Sequence, residues 1–246
     1  MLNEQTLDRM TALRLLGMVS FLRSWLSKPD RADLSAMELV GLLVDAECTS
    51  RDNRKLKTRL SQAKLRQEAC IEDIDYASAR GLAKPVMLEL STSRWAAQLQ
   101  NVIISGATGV GKTYVACALG NKACRDGYSV LFKRTTRLFD ELAQARADGS
   151  YLSLMRRIAK TNVLILDDFG VEPLSQRDRK EFLEVLEDRC GVSSTIITTQ
   201  LEPTDWHAVI GAETIADSIC DRVVHNAHKL KLGGESIRKT RAKPRT

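Results

Sequence analysis

Four residues near the middle of the chain have the types and the spacing that bind phosphate. Gly106, Gly111, Lys112 and Thr113 fit the pattern G-x-x-x-x-G-K-[ST], directly after the apolar run NVIIS. In such a loop the glycines let backbone N–H groups surround a phosphate, the lysine reaches the β- and γ-phosphates, and the threonine hydroxyl binds Mg²⁺. The sequence therefore predicts a phosphate site with Mg²⁺, built from Gly106, Ala107, Thr108, Gly109, Val110, Gly111, Lys112 and Thr113.

A loop of this kind needs a second strand that brings a carboxylate to the metal. The stretch NVLILDDFG has four apolar residues followed by Asp167 and Asp168, at the strand end where open α/β sheets bind ligands. We interpret Asp167 as the acid on the Mg²⁺ side and Asp168 as the candidate base that orients the attacking water. The alternative is that these acids cap the segment that follows.

Two later segments carry further candidate catalytic side chains. In STIITTQ, Thr199 and Gln200 end a predicted strand, within reach of a γ-phosphate and its water. In ADSICDRVVHNA, residues 216–227, a helical pattern leaves Arg222 off the apolar face. Arg222 suits an arginine finger from a neighbouring subunit, which would spread charge on the γ-phosphoryl group, and it suits a surface salt bridge equally well.

These side chains must be positioned by a sheet, and the sequence predicts one from residue 101 onward. Short apolar strands alternate there with amphipathic helices, a pattern typical of an α/β fold whose parallel sheet is covered by helices on both faces. The predicted strands span 101–105, 129–132, 162–167 and 194–199. The predicted helices begin at 112 and span 137–159 and 177–189.

The residues before this core read as helical up to about 95. Ser35 stands three residues before Glu38, the spacing of a capping box, with Leu34 and Leu39 as the flanking apolar staple. A helix should therefore begin near Ala36. We divide the chain into a helical domain over 1–70, a connecting helical segment over 71–100, a core over 101–232 and a basic tail over 233–246.

Composition excludes several classes of protein. Of the 246 residues 43% are hydrophobic and 28% charged, and no apolar run has the roughly 20 residues that span a bilayer. The first residues, MLNEQTLDRM, lack the features of a secretory signal, so we expect a cytoplasmic protein with no membrane partner. The six cysteines form no C-x-x-C pair, which predicts reduced and mostly buried thiols; His225 and His228 leave a metal site open as a minor alternative.

Positive charge is concentrated in two places. Residues 229–246 carry seven basic side chains against one acid, and residues 51–68 carry seven against two, within a formal net charge of +6. Two separated basic patches favour a polyanionic partner, because counterion release grows with the number of cations presented. The alternative is a solvated helix face and a frayed tail.

Taken together, these segments resemble the AAA+ ATPases and, more closely, the IstB-like family. That family comprises ATP-binding helper proteins encoded beside the transposase in a class of bacterial insertion sequences. The resemblance is carried by long blocks that cover most of the chain. They are ACIEDIDYASARGL, NVIISGATGVGKTYVACALGNKACRDGYSV, LILDDFGVEPLSQRDRKEFLEVLEDR, STIITTQLEPTDWHAVIG and ADSICDRVVHNAHKLKLGGESIRK.

The resemblance implies a role for each candidate. Residues 106–113 would be Walker A with bound ATP, Asp167 and Asp168 Walker B, Thr199 or Gln200 the first sensor, and Arg222 the trans-acting finger. Where AAA+ proteins in general have Asp-Glu, this chain has Asp-Asp, so we expect slow, partner-stimulated hydrolysis. The chain ends too soon after Arg222 for a helical lid domain, which leaves Arg238 as the candidate for a second sensor.

The resemblance also implies partners: duplex target DNA, a transposase and further copies of the chain, with assembly driven by ATP. The open alternatives are a helicase loader that prefers single strands, and a clamp that binds ATP without useful turnover. Small-metabolite kinases need a lid and a second pocket that the sequence does not indicate. The candidate DNA contacts are Arg51, Arg54, Lys55, Lys57, Arg59, Arg134, Arg137, Arg156, Arg157, Arg238 and Lys239.

Overall fold

The computed structural model of the chain describes residues 2–28, 34–76 and 81–236. Its α-helices are α1 Leu2–Ala12, α2 Leu16–Leu26, α3 Ala36–Ala63, α4 Lys84–Leu90, α5 Arg94–Ala97, α6 Lys112–Arg125, α7 Thr135–Asp148, α8 Tyr151–Lys160, α9 Gln176–Glu187, α10 Trp206–Ile210 and α11 Glu213–Val224. Its strands are β1 Asn101–Gly106, β2 Val130–Arg134, β3 Val163–Phe169, β4 Ser194–Thr199 and β5 Ala227–Leu232.

The chain divides into two compact units, residues 1–58 and 59–246, with the division inside α3. The first unit is helical. The second contains the sheet and the helices that cover it. The finer four-part division by residue number remains a prediction.

In the first unit, α3 begins where its capping box predicts. The Ser35 N–H and hydroxyl both donate to Glu38, and the Glu38 N–H donates back to Ser35 Oγ, so the predicted start at Ala36 is confirmed. Farther along, the buried Glu47 carboxylate accepts hydrogen bonds from the Gly17 N–H at 2.7 Å and the Met18 N–H at 3.3 Å. These bonds satisfy N–H groups in the first turn of α2, which have no partner within their own helix.

In the second unit, five parallel strands form one sheet in the order β2-β3-β4-β1-β5. Strands β1, β3 and β4 lie inside the sheet and are buried almost throughout, as expected for Val- and Ile-rich runs covered on both faces. The predicted parallel α/β fold is therefore confirmed. Because parallel strands end at the same edge, the residues that follow β1, β3 and β4 meet there.

The strand that the sequence analysis missed is β5. The pattern over 216–227 indicated one helix, but α11 ends at Val224 and β5 begins at Ala227. Strand β5 alternates in burial, with Leu230 and Leu232 buried and Lys231 exposed between them. This two-residue alternation is the signal of an edge strand, and it was hidden by counting the lysines as part of a basic patch.

Aromatic rings fill the core between the sheet and α9 to α11. Phe169 stacks on Phe182 at 5.2 Å between ring centroids and meets the fully buried Trp206 at 4.7 Å.

The prediction of mostly buried cysteines was wrong. Cys117 and Cys124 are buried within α6, whereas the others lie on helix faces or turns that face solvent wholly or in part: Cys48, Cys70, Cys190 and Cys220.

Candidate nucleotide-binding site

The glycine-rich loop joins β1 to α6 at the carboxyl edge of the sheet. Gly106 has φ +143° and Gly111 has φ +102°, backbone angles that residues other than glycine rarely adopt. A Cβ on Gly106 would lie 2.1 Å from the carbonyl oxygen of Leu232 at the end of β5. The first glycine of the motif is thus required both by its backbone conformation and by the close approach of the neighbouring strand.

Lys112 is the first residue of α6, and its side chain folds over the loop. Its Nζ donates to the carbonyl oxygens of Gly106 at 2.7 Å and Ala107 at 2.9 Å, and the residue is only 7% exposed. The ammonium group therefore lies within the curve of the loop, in front of the N-terminus of α6. A positive charge and a helix N-terminus together attract an anion.

Asp167 is fully buried at the end of β3 and faces the loop. Its Oδ1 accepts a hydrogen bond from Thr113 Oγ1 at 2.9 Å and another from Thr198 Oγ1 at 2.6 Å. The sheet order explains the meeting, because β4 lies between β1 and β3 and carries Thr198 to the same edge. The threonine hydroxyl and the carboxylate predicted to share Mg²⁺ are thus adjacent.

Asp168 has an unusual backbone. Its φ is +60°, and the β3–β4 register shifts between Leu166 and Phe169. This bulge re-aims the side chain, and Asp168 Oδ2 lies 3.7 Å from Arg66 and 3.5 Å from Arg134. Arg134, predicted as a DNA contact, is therefore placed beside the second acid of the site. Asp168 is 38% exposed, so it is open to water.

The two residues predicted as the first sensor, Thr199 and Gln200, do not share the contact that Thr198 makes with Asp167. Thr199 is fully buried; its hydroxyl donates to the Phe169 carbonyl at 2.8 Å and accepts from the Leu201 N–H at 3.1 Å. Gln200 is exposed beyond the strand. Among the β4 hydroxyls, the contact with Asp167 is made by Thr198, which the sequence did not single out, and the sensor roles of Thr199 and Gln200 remain predictions.

Arg222 lies on α11 and is engaged within the chain. Its Nη1 donates to the Ser218 carbonyl at 2.8 Å, and its Nη2 contacts Glu187 Oε1, at the end of α9, at 2.8 Å. This is the surface salt bridge that the sequence left open as an alternative. The contact is half-exposed on both sides, and such pairs exchange with solvent at little cost.

The basic side chains predicted to contact DNA have varied surroundings. In the first unit, Arg51 and Arg54 both contact the Glu47 carboxylate, at 2.7 and 3.4 Å. In the second, Arg59 Nε donates to the Cys124 carbonyl at 2.8 Å. Arg59 is partly buried, whereas the other described candidates are exposed: Arg51, Arg54, Lys55, Lys57, Arg134, Arg137, Arg156 and Arg157. Arg238 and Lys239 lie outside the described residues.

The donor set at this edge fits a nucleoside triphosphate with Mg²⁺. The loop supplies N–H groups and an ammonium for phosphate, and Thr113 with Asp167 supplies the oxygen pair that Mg²⁺ binds beside phosphates. Elsewhere, residues 2–28, 34–76 and 81–236 contain no group of three or more His, Cys, Asp or Glu side chains placed to hold a metal ion. His228, one of the two histidines considered for a metal, contacts Gln100 at 2.8 Å.

No helix in the described ranges is both long and apolar enough to cross a membrane.

Comparison with known proteins identifies the family. Residues 8–244 match the family described as IstB-like ATP binding protein. The chain belongs to the IstB-like family. A protein of Sinorhizobium fredii named as an insertion sequence ATP-binding protein is 48% identical over 97% of this chain and 98% of its own. An insertion sequence ATP-binding protein of Pseudomonas fluorescens is 43% identical over 82% of this chain and 87% of its own.

Solved structures share the fold over about two thirds of the chain or somewhat more. A DnaC helicase loader has a TM-score of 0.57 at 22% identity, over 69% of this chain and 99% of that one. DnaA from Aquifex aeolicus, bound to AMPPCP, has a TM-score of 0.58 at 19% identity, over 72% and 54% of the two chains. At these identities the likeness concerns the fold alone, so this IstB-like chain shares the P-loop NTPase fold of the AAA+ loaders and initiators.

Proposed function

We propose that this chain is an ATPase switch that assembles on duplex target DNA when it binds ATP and then recruits and stimulates a partner transposase. The single observation that carries the proposal is the contact between Thr113 and Asp167 at 2.9 Å, which joins the phosphate loop to the acidic strand. Membership of a family of insertion sequence ATP-binding proteins supports the transposition context.

Each side chain at the edge has a part in the proposed hydrolysis. Lys112 would hold the β- and γ-phosphates, and Thr113 with Asp167 would hold Mg²⁺, which when bound would supply positive charge to the phosphates. Asp168 orients the attacking water. Thr198 holds Asp167 by its hydrogen bond at 2.6 Å. Arg222 of a neighbouring copy is the arginine finger, which stabilises the charge that develops on the γ-phosphoryl group.

The geometry of Asp168 supports slow turnover. The side chain is one methylene shorter than the glutamate usual at this place in AAA+ proteins, and Arg134 Nη2 lies 3.5 Å from its Oδ2. A guanidinium that contacts this carboxylate competes with the attacking water for its oxygens. Stimulation by a partner would then relieve this restraint.

An exposed apolar face supports assembly from several copies. Met37, Val40 and Val44 recur at helical spacing on α3 and are 80%, 52% and 45% exposed. Apolar side chains grouped on one helix face are typical of protein contact surfaces. Release of Arg222 from Glu187 would allow it to reach a neighbouring site in such an assembly.

Steady-state ATP hydrolysis with and without duplex DNA tests the enzymatic part. We expect Arg222→Ala to bind ATP with unchanged affinity but to lose most DNA-dependent turnover, because the finger acts on the transition state. Asp168→Asn should lower the rate by about a hundredfold, a loss typical of general acid–base groups. If Asp168→Asn leaves turnover unchanged, the chain is a clamp that binds ATP, and the enzymatic proposal fails.

A further inference from the structure

One arginine outside the phosphate loop and the acidic strand reaches the centre of the site. Arg66 lies only three residues after the end of α3, yet its Nη1 is 3.3 Å from Asp167 Oδ2 and 3.7 Å from Asp168 Oδ2. It is 101 residues from Asp167 in sequence. The guanidinium bridges the two acids from the side opposite the Thr113 hydroxyl, which contacts the other oxygen of Asp167.

The backbone around Arg66 is fastened to the helix that follows the phosphate loop. Burial raises the pKa of the Cys117 thiol on α6, and the neighbouring backbone N–H groups of Gln67 and Arg66 partly offset that rise. Leu65 packs on the same helix, where a Cβ on Gly120 would lie 3.1 Å from Leu65 Cδ2. The segment is thus held at a fixed place while the side chain, 36% exposed, keeps room to move.

The charges at the site are suited to a polyphosphate. Three cations, Lys112, Arg66 and Arg134, stand against two carboxylates, Asp167 and Asp168. A Mg²⁺ ion held by Asp167 would repel a guanidinium at the same carboxylate, because both are positive and close together. Asp168, at 3.7 Å, then remains as a partner, and the γ-phosphate that Lys112 and Thr113 would hold is a further anion at the same edge of the sheet.

We propose that Arg66 is a nucleotide-contact residue supplied in cis, which serves as counter-ion to Asp167 and Asp168 and passes to the γ-phosphate when ATP binds. This inference rests on the proposed ATP site. It assigns Arg66 to the recognition of the triphosphate, since ADP offers no γ-phosphate. A guanidinium fits the task, because its five donors can hold a phosphate and a carboxylate at the same time.

Equilibrium binding of fluorescently labelled AMPPNP and ADP with Mg²⁺ tests the proposal. Arg66→Ala should raise the Kd for AMPPNP by about tenfold, as for one charge-assisted hydrogen bond, and the Kd for ADP by less than about twofold. Arg66→Lys should raise the Kd for AMPPNP by an intermediate factor, because lysine keeps the positive charge and lacks the planar set of N–H donors of a guanidinium. The matched control is Arg125→Ala, which removes an exposed arginine at the end of α6 that pairs with Glu72 at 2.8 Å.

Three results would overturn the inference. Equal losses for both nucleotides would mean that Arg66 only supports the fold, and unchanged affinities would mean that it has no contact with the nucleotide. If Arg66→Ala bound both AMPPNP and ADP more tightly, Arg66 would only compete with Mg²⁺ for the Asp167 carboxylate. Thermal unfolding checks that each variant is folded. If the unsubstituted protein binds neither nucleotide, the proposed function itself fails, which is a separate outcome.

Discussion

Adjacent threonines at the end of β4 have different contacts. Thr198 bonds to the Asp167 carboxylate at 2.6 Å, whereas Thr199 bonds to the Phe169 carbonyl at 2.8 Å. We expect Thr198→Val to lower kcat by about tenfold, because a hydrogen bond to a charged group contributes roughly 1.5–3 kcal/mol. ATPase assays should show this loss.

Thr199→Val is the matched comparison for Thr198→Val. It should lower the free energy of unfolding by about 1 kcal/mol through the lost bond to Phe169, with kcat changed by less than about twofold. A larger loss of kcat in Thr199→Val than in Thr198→Val would contradict this expectation and support Thr199 as the first sensor.

At the level of single residues, the sequence was sufficient where the chemistry is contained in a local motif. Thr113 contacts Asp167, and Lys112 folds over the glycine-rich loop, as the motif and the strand pattern predicted. The contact of Thr198 with Asp167 could not be predicted, since which β4 side chains lie on the same face of the sheet as Asp167 depends on an irregular β3–β4 register. Arg66 carried no local signal at all, because its partner lies 101 residues away.

Among the helices, the contact between α2 and α3 depends on one buried carboxylate. The hydrogen bond from Arg51, with further bonds from the Gly17 and Met18 N–H groups, lowers the pKa of Glu47 below its ordinary value of 4.5. A carboxyl group whose pKa is lower in the folded protein than in the unfolded chain stabilises the fold at pH values above the unfolded pKa. That stabilisation is lost as the pH falls through the pKa of the folded state. The first unit should therefore lose stability below about pH 4.5.

Chemical unfolding monitored by circular dichroism checks this expectation in the whole protein. Glu47→Gln should be less stable than the unsubstituted chain at pH 7, and the difference should narrow as pH falls below 4.5. Glu38→Gln is a suitable comparison, since Glu38 bonds to Ser35 at the exposed start of the same helix. A difference for Glu47→Gln that stays constant with pH would show that its charge is not what holds α2.

At the level of elements, long periodic segments were predictable and the short edge strand was not. Strands β1, β3 and β4 were predicted to within two residues because buried strands are continuous apolar runs. Strand β5 has lysines on its exposed side, which made it look like part of a basic tail. Burial of Leu230 and Leu232 against the sheet outweighs that local signal.

For the whole molecule, the proposed assembly should depend on the apolar face of α3. Met37→Asp combined with Val40→Asp should raise the protein concentration needed for assembly by about tenfold or more, since central apolar contacts contribute over 1 kcal/mol each. ATP binding should stay unchanged. Light scattering against protein concentration measures the effect.

The matched control for α3 is Val192→Asp, at an apolar side chain that is 63% exposed in the turn before β4. An equal loss of assembly in Val192→Asp would show that added negative charge, rather than the α3 face, is responsible. Assembly of the doubly substituted protein at the usual concentration would contradict the assignment of this face.

The central claim is that ATP in this P-loop drives assembly on duplex DNA. Sedimentation of the protein with duplex or single-stranded DNA of equal length, with and without ATP, tests it most directly, and Lys112→Ala serves as the variant without the phosphate-binding ammonium. We predict large species only when ATP and duplex are both present, and none with Lys112→Ala. Large species in that variant, small species in every mixture, or a preference for single strands would contradict the account.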